Sequence, residues 1–337
     1  MITDNGRMAA STQSSNTMNL DNITIDLGFQ TYKNGNYEVS ISPATGTKIR
    51  DNHRDDNLFD AEFPECADIC ITSYCDRACP FCYVSSGENG RDAPFEEMKP
   101  ILDTFRPWTE VALGGGSPIL HKELVKILEF FKTKNVLPSI TVHWKHFEEK
   151  FPFLMDLCKN RLLYGVGVSA SSYREDISQM IVKNRFNNAV IHTIAGITGA
   201  ADMSKYAEAG NKILILGYKN MGRGKKDHME YDRDIQTKID ELKTWLTAAI
   251  RDKAFKNVVS FDNLALIQLG IKDLLTEEQW NESYMGDDGI EGEMTSASMY
   301  IDFVNKTFSR NSINANKHDI GDLVDVKDMF QILKKGE

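Results

Sequence analysis

The sequence predicts an α/β fold: a parallel sheet with helices outside it, either open or closed towards a barrel. Two observations predict it. Apolar strand candidates at 68–74, 110–114, 138–144, 163–169, 189–195 and 212–217 recur about 25 to 40 residues apart, the length of a βα unit. Between them run helix-period patterns. Leu124, Ile127, Leu128 and Phe131 share one helical face, and so do Ile235, Ile239, Leu242, Leu246 and Ile250. Strands that alternate with helices in this way pair in parallel, with the helices packed on the sheet.

The other elements follow in chain order. Residues 1–20 are rich in Ser, Thr, Asn and Gln and are expected to form a disordered tail. Residues 21–60 read as a small β region, with 37–42 its clearest strand and Asn34-Gly35 the turn before it. This region is expected to cap or flank a core at 61–225. An α/β extension, 226–337, completes the chain. It holds strand candidates at 257–262 and 298–304 and a capping box, Thr276-x-x-Gln279, that opens a helix between them. These last strands would either complete a fuller barrel or form a lid.

Charge narrows the partners. The 337 residues include 39 basic and 49 acidic ones, a formal charge of −10, which argues against nucleic acid and anionic membranes as partners. No apolar run approaches the roughly 18 residues of a membrane span, and the first residues lack the apolar centre of a secretory signal. A cytoplasmic location is the expectation. In that reducing setting the cysteines are not read as disulfides.

Five of the six cysteines, Cys66, Cys70, Cys75, Cys79 and Cys82, fall within 17 residues, and Cys158 stands apart. Disulfide scaffolds are short and cysteine-dense throughout, so this clustering points to a metal or cluster site. The key stretch is Cys75-Asp-Arg-Ala-Cys79-Pro-Phe-Cys82-Tyr83, which follows the first strand. Three thiolates on one short loop can converge on a face of a four-iron cube, leaving one iron open to a substrate or cosubstrate. The bland alternative is zinc, with Cys66 or Cys70 as fourth ligand. Zinc ligands usually come as two pairs from separate segments, and only one C-x2-C pair is present. Cys70 alternates with Asp68 and Thr72, which suits a small buried residue; Cys66 and Cys158 also read as structural.

The C-x3-C-x2-C spacing, with Phe81 before the last cysteine, resembles the radical S-adenosylmethionine (radical SAM) superfamily. The resemblance covers about 68–225 and implies a partial (βα)6 barrel, which the later strands would extend towards eight. It implies a [4Fe–4S] cluster on Cys75, Cys79 and Cys82, with S-adenosylmethionine (SAM) chelated at the open iron. The implied chemistry is reductive cleavage of SAM to a 5′-deoxyadenosyl radical, which abstracts hydrogen from a small-molecule or peptide substrate. The electrons would come from a donor such as flavodoxin or ferredoxin. No cysteine cluster follows Cys158, unlike family members that carry auxiliary clusters in C-terminal extensions. A second reading is an activase that makes a glycyl radical on a partner protein. Such activases finish soon after the core, whereas this chain runs on for more than 100 residues. A non-catalytic zinc- or iron-binding module is a third.

Ligands of α/β domains gather at the carboxyl ends of the strands. There the second strand runs into Leu113-Gly-Gly-Gly-Ser-Pro118, where the family usually has Gly-Gly-Glu-Pro to receive the SAM ammonium group. By this resemblance Gly115, Gly116 and Ser117 are expected at the amino end of SAM, with Ser117 where Glu would stand. The glycines and Pro118 also suit a plain tight turn. Ser169 is expected at the ribose or carboxylate, although the neighbouring Ser171 or Ser172 would equally cap the next helix. Gly196 and Ile197 are expected against adenine. Phe81 and Tyr83 flank the cluster, with Tyr83 near the adenine. His192, inside its strand, reads as a satisfied core histidine. Lys219 and Arg223, with Lys225 and Lys226, are expected to grip an anionic substrate, on a loop bent by Gly217, Gly222 and Gly224. A solvated basic loop is the alternative. Trp144, His146, Asp262 and Asn263 end strands without an assignable role.

Overall fold

The computed structural model describes residues 17–20, 23–26, 28–52, 59–284 and 296–335. Most of the expected tail lies outside the described residues, but Thr17–Leu20 form β1, antiparallel to β2 (Ile23–Asp26). A separate antiparallel sheet follows, made of β3 (Gln30–Asn34), β4 (Tyr37–Ile41) and β5 (Lys48–Asp51). Tyr37, Val39 and Ile41 alternate with solvent-facing residues along β4, and all three are buried.

The main sheet begins with β6 (Cys66–Thr72). Then come α1 (Phe95–Leu102), β7 (Glu110–Gly115), α2 (Leu124–Thr133) and β8 (Leu137–His143). After α3 (Trp144–Glu149) and α4 (Phe151–Lys159) the chain enters β9 (Gly165–Ser169), α5 (Glu175–Lys183), β10 (Ala189–Ile194), α6 (Ala200–Glu208) and β11 (Ile213–Leu216). These six strands lie within two residues of the six that periodicity predicts. The long α7 (Gly222–Arg251), kinked at Tyr231, leads to β12 (Val259–Phe261) and α8 (Asn263–Leu269). A boundary at 225–226 would therefore fall inside α7. The chain ends with α9 (Glu277–Ser283), β13 (Ser298–Asp302), β14 (Thr307–Ser309), β15 (His318–Asp319) and α10 (Val326–Lys335). The expected capping box is formed at α9, where the Thr276 hydroxyl and the Gln279 amide each accept from the other's backbone N–H.

Strand order is β12-β11-β10-β9-β8-β7-β6-β13-β14-β15, parallel from β12 to β13 and antiparallel beyond. The two late parallel strands thus extend the sheet at opposite ends, β12 beside β11 and β13 beside β6. In a flat sheet β11 and β14, seven spacings apart, would be separated by about 34 Å at roughly 4.8 Å per strand. Yet Lys219, just after β11, donates to the Ser312 hydroxyl, just after β14, over 3.1 Å. The sheet must curl until its two ends face each other.

Register separates the two faces of this curl. The convex face carries Ile69, Leu113, Ile140, Val168, Ile191 and Ile215, all buried beneath the helices. The predicted faces of α2 and α7 supply the cover, from Leu124, Ile127, Leu128 and Phe131 and from Ile235, Ile239, Leu242 and Leu246. On the concave face one row reads Tyr300, Asp68, Ala112, Ser139 and Gly165 across five strands. Barrel interiors are normally filled by bulky branched side chains. Small residues here leave a trough instead. No helix among the described residues is long and apolar enough to cross a membrane.

Candidate functional site

The cysteines lie on the segment that leaves β6 at its carboxyl end and returns to α1. Two bridges anchor the segment, Thr72 with Asp92 and Tyr74 with Gly87. Within it, Cys75 N donates to Gly87 O (3.0 Å), Ser73 N to Arg91 O (2.9 Å) and Cys82 N to Cys79 O (3.2 Å). Ala78 and Ser85 hold left-handed φ values of 48° and 56°, a local strain that tightens the chain around Cys79 and Cys82. The thiols act on one another electrostatically. Burial, and then the charges of Cys75 and Cys82, push the Cys79 thiol up, while Arg223 opposes them.

Arg223, expected at a substrate anion, is instead committed to this loop. Its Nε donates to Cys79 O (2.9 Å), its Nη1 to Ser86 O (2.8 Å) and its backbone N to Cys82 O (3.0 Å). From Gly222 onward the residues expected as a loop open α7, and Gly222 both bends the chain, with φ +55°, and permits a close contact. A Cβ on Gly222 would come within 2.3 Å of Tyr83 O, and one on Gly224 within 3.1 Å of Phe81 O. Lys225 and Lys226 are exposed. Lys219, half-buried like Arg223, instead leans over Tyr83, with Nζ 4.2 Å from the centre of its ring. Phe81 packs half-buried against the core.

The glycine turn ends β7 beside this loop. Gly116 N donates to Thr72 O (2.6 Å) and Ser117 N to Tyr74 O (2.7 Å). Gly115 has φ +103°, and a Cβ there would sit 2.2 Å from Thr72 O and 2.6 Å from Cys70 Sγ. Only glycine meets both demands. A Cβ on Gly114 would meet open space. The Ser117 side chain is turned inward, 5% exposed, with its hydroxyl 3.1 Å from His146 Nδ1. His146 Nε2 lies 3.0 and 3.2 Å from the two carboxylate oxygens of Asp76, which Arg77 also binds. These partners, Arg77 first, hold the Asp76 carboxyl well below the ordinary range, against a smaller opposing effect of burial.

The trough runs between these loops. Asp68 projects into it from β6, reached by solvent yet enclosed by the curled sheet. Enclosure raises its carboxyl, Lys219 opposes the rise and Asp262 adds to it. Asp262 itself caps α8, accepting from Ala265 N and Gly217 N at 2.8 Å each. Ser169 ends β9 in register with His143 and His192, and α5 takes Arg174 rather than Ser171 or Ser172 as its N-cap. His192 faces the trough rather than the core. Its ring covers Gly167, where a Cβ would come within 2.2 Å, and burial lowers its pKa to about 4. His143 is likewise lowered to about 4, by burial first and then by the charge of Arg77. Ile197 is half-buried, whereas Gly196 is covered by Ile235, 2.6 Å from a Cβ built there.

The other cysteines do not join the three. Cys66 begins β6, about 20 Å along the strand from Thr72. Cys70 is buried beside Tyr300 and Asp302, and burial followed by the Asp302 charge pushes its thiol up to about 12. Cys158 lies on α4, pushed up to about 12 by burial. Among the described residues no three His, Cys, Asp or Glu side chains converge on one ion position. The donor set that remains, three thiols on one anchored loop, suits an iron–sulfur cluster with an open iron. It lacks the fourth ligand of a closed structural zinc site. Asp68, His143 and the Asp76–His146–Ser117 contacts are the features that sequence reading missed. A charged residue opening an otherwise apolar strand candidate is the one signal available, at Asp68.

Residues 69–215 match the family model described as Radical SAM superfamily. No curated protein matches by sequence. Among solved structures, SuiB of Streptococcus suis is similar in fold. Its SAM-bound structure has a TM-score of 0.53 at 16% identity, covering 79% of this chain and 66% of that one. Its structure bound to precursor peptide SuiA has a TM-score of 0.52 at 14% identity, covering 80% and 65%. A third SuiB structure has a TM-score of 0.54 at 12% identity, covering 89% and 86%. In the first two comparisons the chain spans a little under two thirds of the neighbour's length.

Proposed function

Because residues 69–215 form a radical SAM superfamily domain, we propose that the chain is a SAM-dependent radical enzyme of the cytoplasm. Cys75, Cys79 and Cys82 would hold a [4Fe–4S] cluster, reduced by a donor such as flavodoxin or ferredoxin. When bound, the cluster and SAM supply a 5′-deoxyadenosyl radical able to take hydrogen from an unreactive carbon. The chain's own work is to hold, orient and exclude. Arg223 and the bridges at Thr72 and Tyr74 fix the cysteine loop, and the Gly115–Gly116 turn packs on Thr72 and Tyr74 so that the open space beside Gly114 is left for the amino acid end of SAM. Ser169 and Ile197 line the way to the ribose and adenine, with Tyr83 and Phe81 flanking the cluster. Gly196, under Ile235, serves the packing of α7 rather than a ligand.

The substrate would lie over the small-residue floor of the trough, between Asp68, His192 and Lys219. Lys219 is the cation placed to meet an anionic group there. A peptide segment is the favoured substrate, because the neighbour of similar fold has been solved with a precursor peptide; a small metabolite is the other form of the same reading. The β13–β15 segment serves this site by bringing Tyr300 and Ser312 to the trough.

The observation that carries the reading is the anchored three-thiol loop beside a glycine turn at the carboxyl edge of a parallel sheet. Its test is anaerobic reconstitution. About four irons and four sulfides per chain, with 5′-deoxyadenosine formed from SAM under strong reductant, are expected. Cys75→Ala, Cys79→Ala or Cys82→Ala should each abolish both, and Cys158→Ala neither. Stoichiometric zinc without sulfide would overturn the reading.

A further inference from the structure

We propose that Asp76, His146 and Ser117 form a positioning relay that locks the glycine turn to the cysteine loop and so sets the affinity for SAM. The proposal rests on the reading above, in which the amino acid end of SAM lies at that turn. Its geometry stands independently. The His146 ring is 1% exposed, with Nδ1 3.1 Å from Ser117 Oγ and Nε2 3.0 Å from the nearer Asp76 oxygen.

A carboxylate can only accept, so the proton sits on Nε2. Nδ1 shares the second hydrogen bond with the Ser117 hydroxyl. The three residues come from separate segments: Asp76 follows Cys75, Ser117 follows Gly116, and His146 lies in α3. Ser117 N also donates to Tyr74 O (2.7 Å). The circuit Tyr74–Cys75–Asp76–His146–Ser117 therefore closes on itself and resists shear between the two loops. Ser117 and His146 are buried, so water does not readily replace a lost partner.

The test compares His146→Phe, His146→Gln and Ser117→Ala with wild type, first metal-free and then reconstituted. In the metal-free protein, amide hydrogen exchange over 75–79 and 115–117 should quicken about tenfold in His146→Phe and Ser117→Ala. After reconstitution the iron content should match wild type. The Kd for SAM, from equilibrium dialysis, should rise about tenfold, the effect of roughly one hydrogen bond. His146→Gln, which can keep one of the two bonds, should fall between. Should His146→Phe fail to fold, Ser117→Ala and Asp76→Asn carry the same comparison. Wild-type exchange together with wild-type SAM affinity in Ser117→Ala overturns the relay. A wild-type protein that takes up neither iron nor SAM sinks the reading beneath it instead, and the exchange data still judge the relay.

Discussion

At the N-terminal end of β6, Glu65 is 1% exposed and fully engaged. Arg50 donates to both its oxygens at 3.0 and 3.1 Å, Lys48 lies at 3.3 Å, and the Tyr37 hydroxyl donates to it as well. At the other end the charges stand around space. Asp68 projects into an open trough, Lys219 leans over Tyr83, and the thiols of Cys75, Cys79 and Cys82 share a strained loop. Charge density alone does not separate a structural network from a site. Completeness does: the Glu65 cluster satisfies itself and ties β4 and β5 to the main sheet, while the opposite end keeps acceptors and donors facing a volume that a ligand can fill.

The largest expected effect breaks the closed end. Glu65→Ala leaves Arg50 buried without its carboxylate and should cost about 3–5 kcal/mol in urea unfolding. Iron uptake per folded molecule should not change. Burial works against the charge on Glu65, but Arg50 and Lys48 outweigh it and hold the carboxyl below its ordinary value. A lowered folded pKa means the contribution is present above the unfolded value of about 4.3 and is lost as pH falls through the folded one. Stability should therefore drop in acid for wild type, and less steeply for Glu65→Gln. Loss of the cluster at unchanged stability in Glu65→Ala would show that the two ends are not separable.

A smaller effect tests the open end. Gly115→Ala combines a left-handed φ with a Cβ 2.2 Å from Thr72 O, and should destabilise by about 1–3 kcal/mol while displacing the turn. Gly114→Ala meets nothing within 4 Å and should leave the melting temperature unchanged. If SAM fills that space, the added methyl should still weaken its binding. Equal stability loss in both variants would mean that the turn is only a packing feature.

The difference between the ends also decides what the sequence discloses. Strands and helices are legible because their burial is periodic, and the cysteine triplet because its spacing is local. Strand order is not local. Nothing in 257–262 or 298–304 says that one strand joins beside β11 and the other beside β6. Contacts between distant segments are equally silent. Ser117 and His146 are 29 residues apart, and Asp76 and His146 are 70. Gly222 and Gly224 read only as freedom to bend, because the close approach of Tyr83 O and Phe81 O leaves no trace in the chain. His192 reads as core because alternation does not tell a filled interior from a trough.

The smallest expected effect separates the two cations at the rim. Arg223 and Lys219 stand four residues apart and look interchangeable as anion grips. Their surroundings differ: Arg223 spans Cys79 O and Ser86 O with two donors of its planar fork, while Lys219 meets Tyr83 and Ser312 with a single ammonium. Arg223→Ala frees two carbonyls of the cysteine loop, so a reconstituted cluster should lose iron to a chelator about tenfold faster than wild type. Arg223→Lys should restore little of this, because one ammonium cannot reproduce the fork. Lys219→Ala should change iron loss by less than about twofold and instead slow turnover of the bound substrate, leaving uncoupled SAM cleavage in place. The reverse pattern, rapid iron loss in Lys219→Ala and an intact cluster in Arg223→Ala, would return Arg223 to the substrate and make Lys219 the residue that holds the loop.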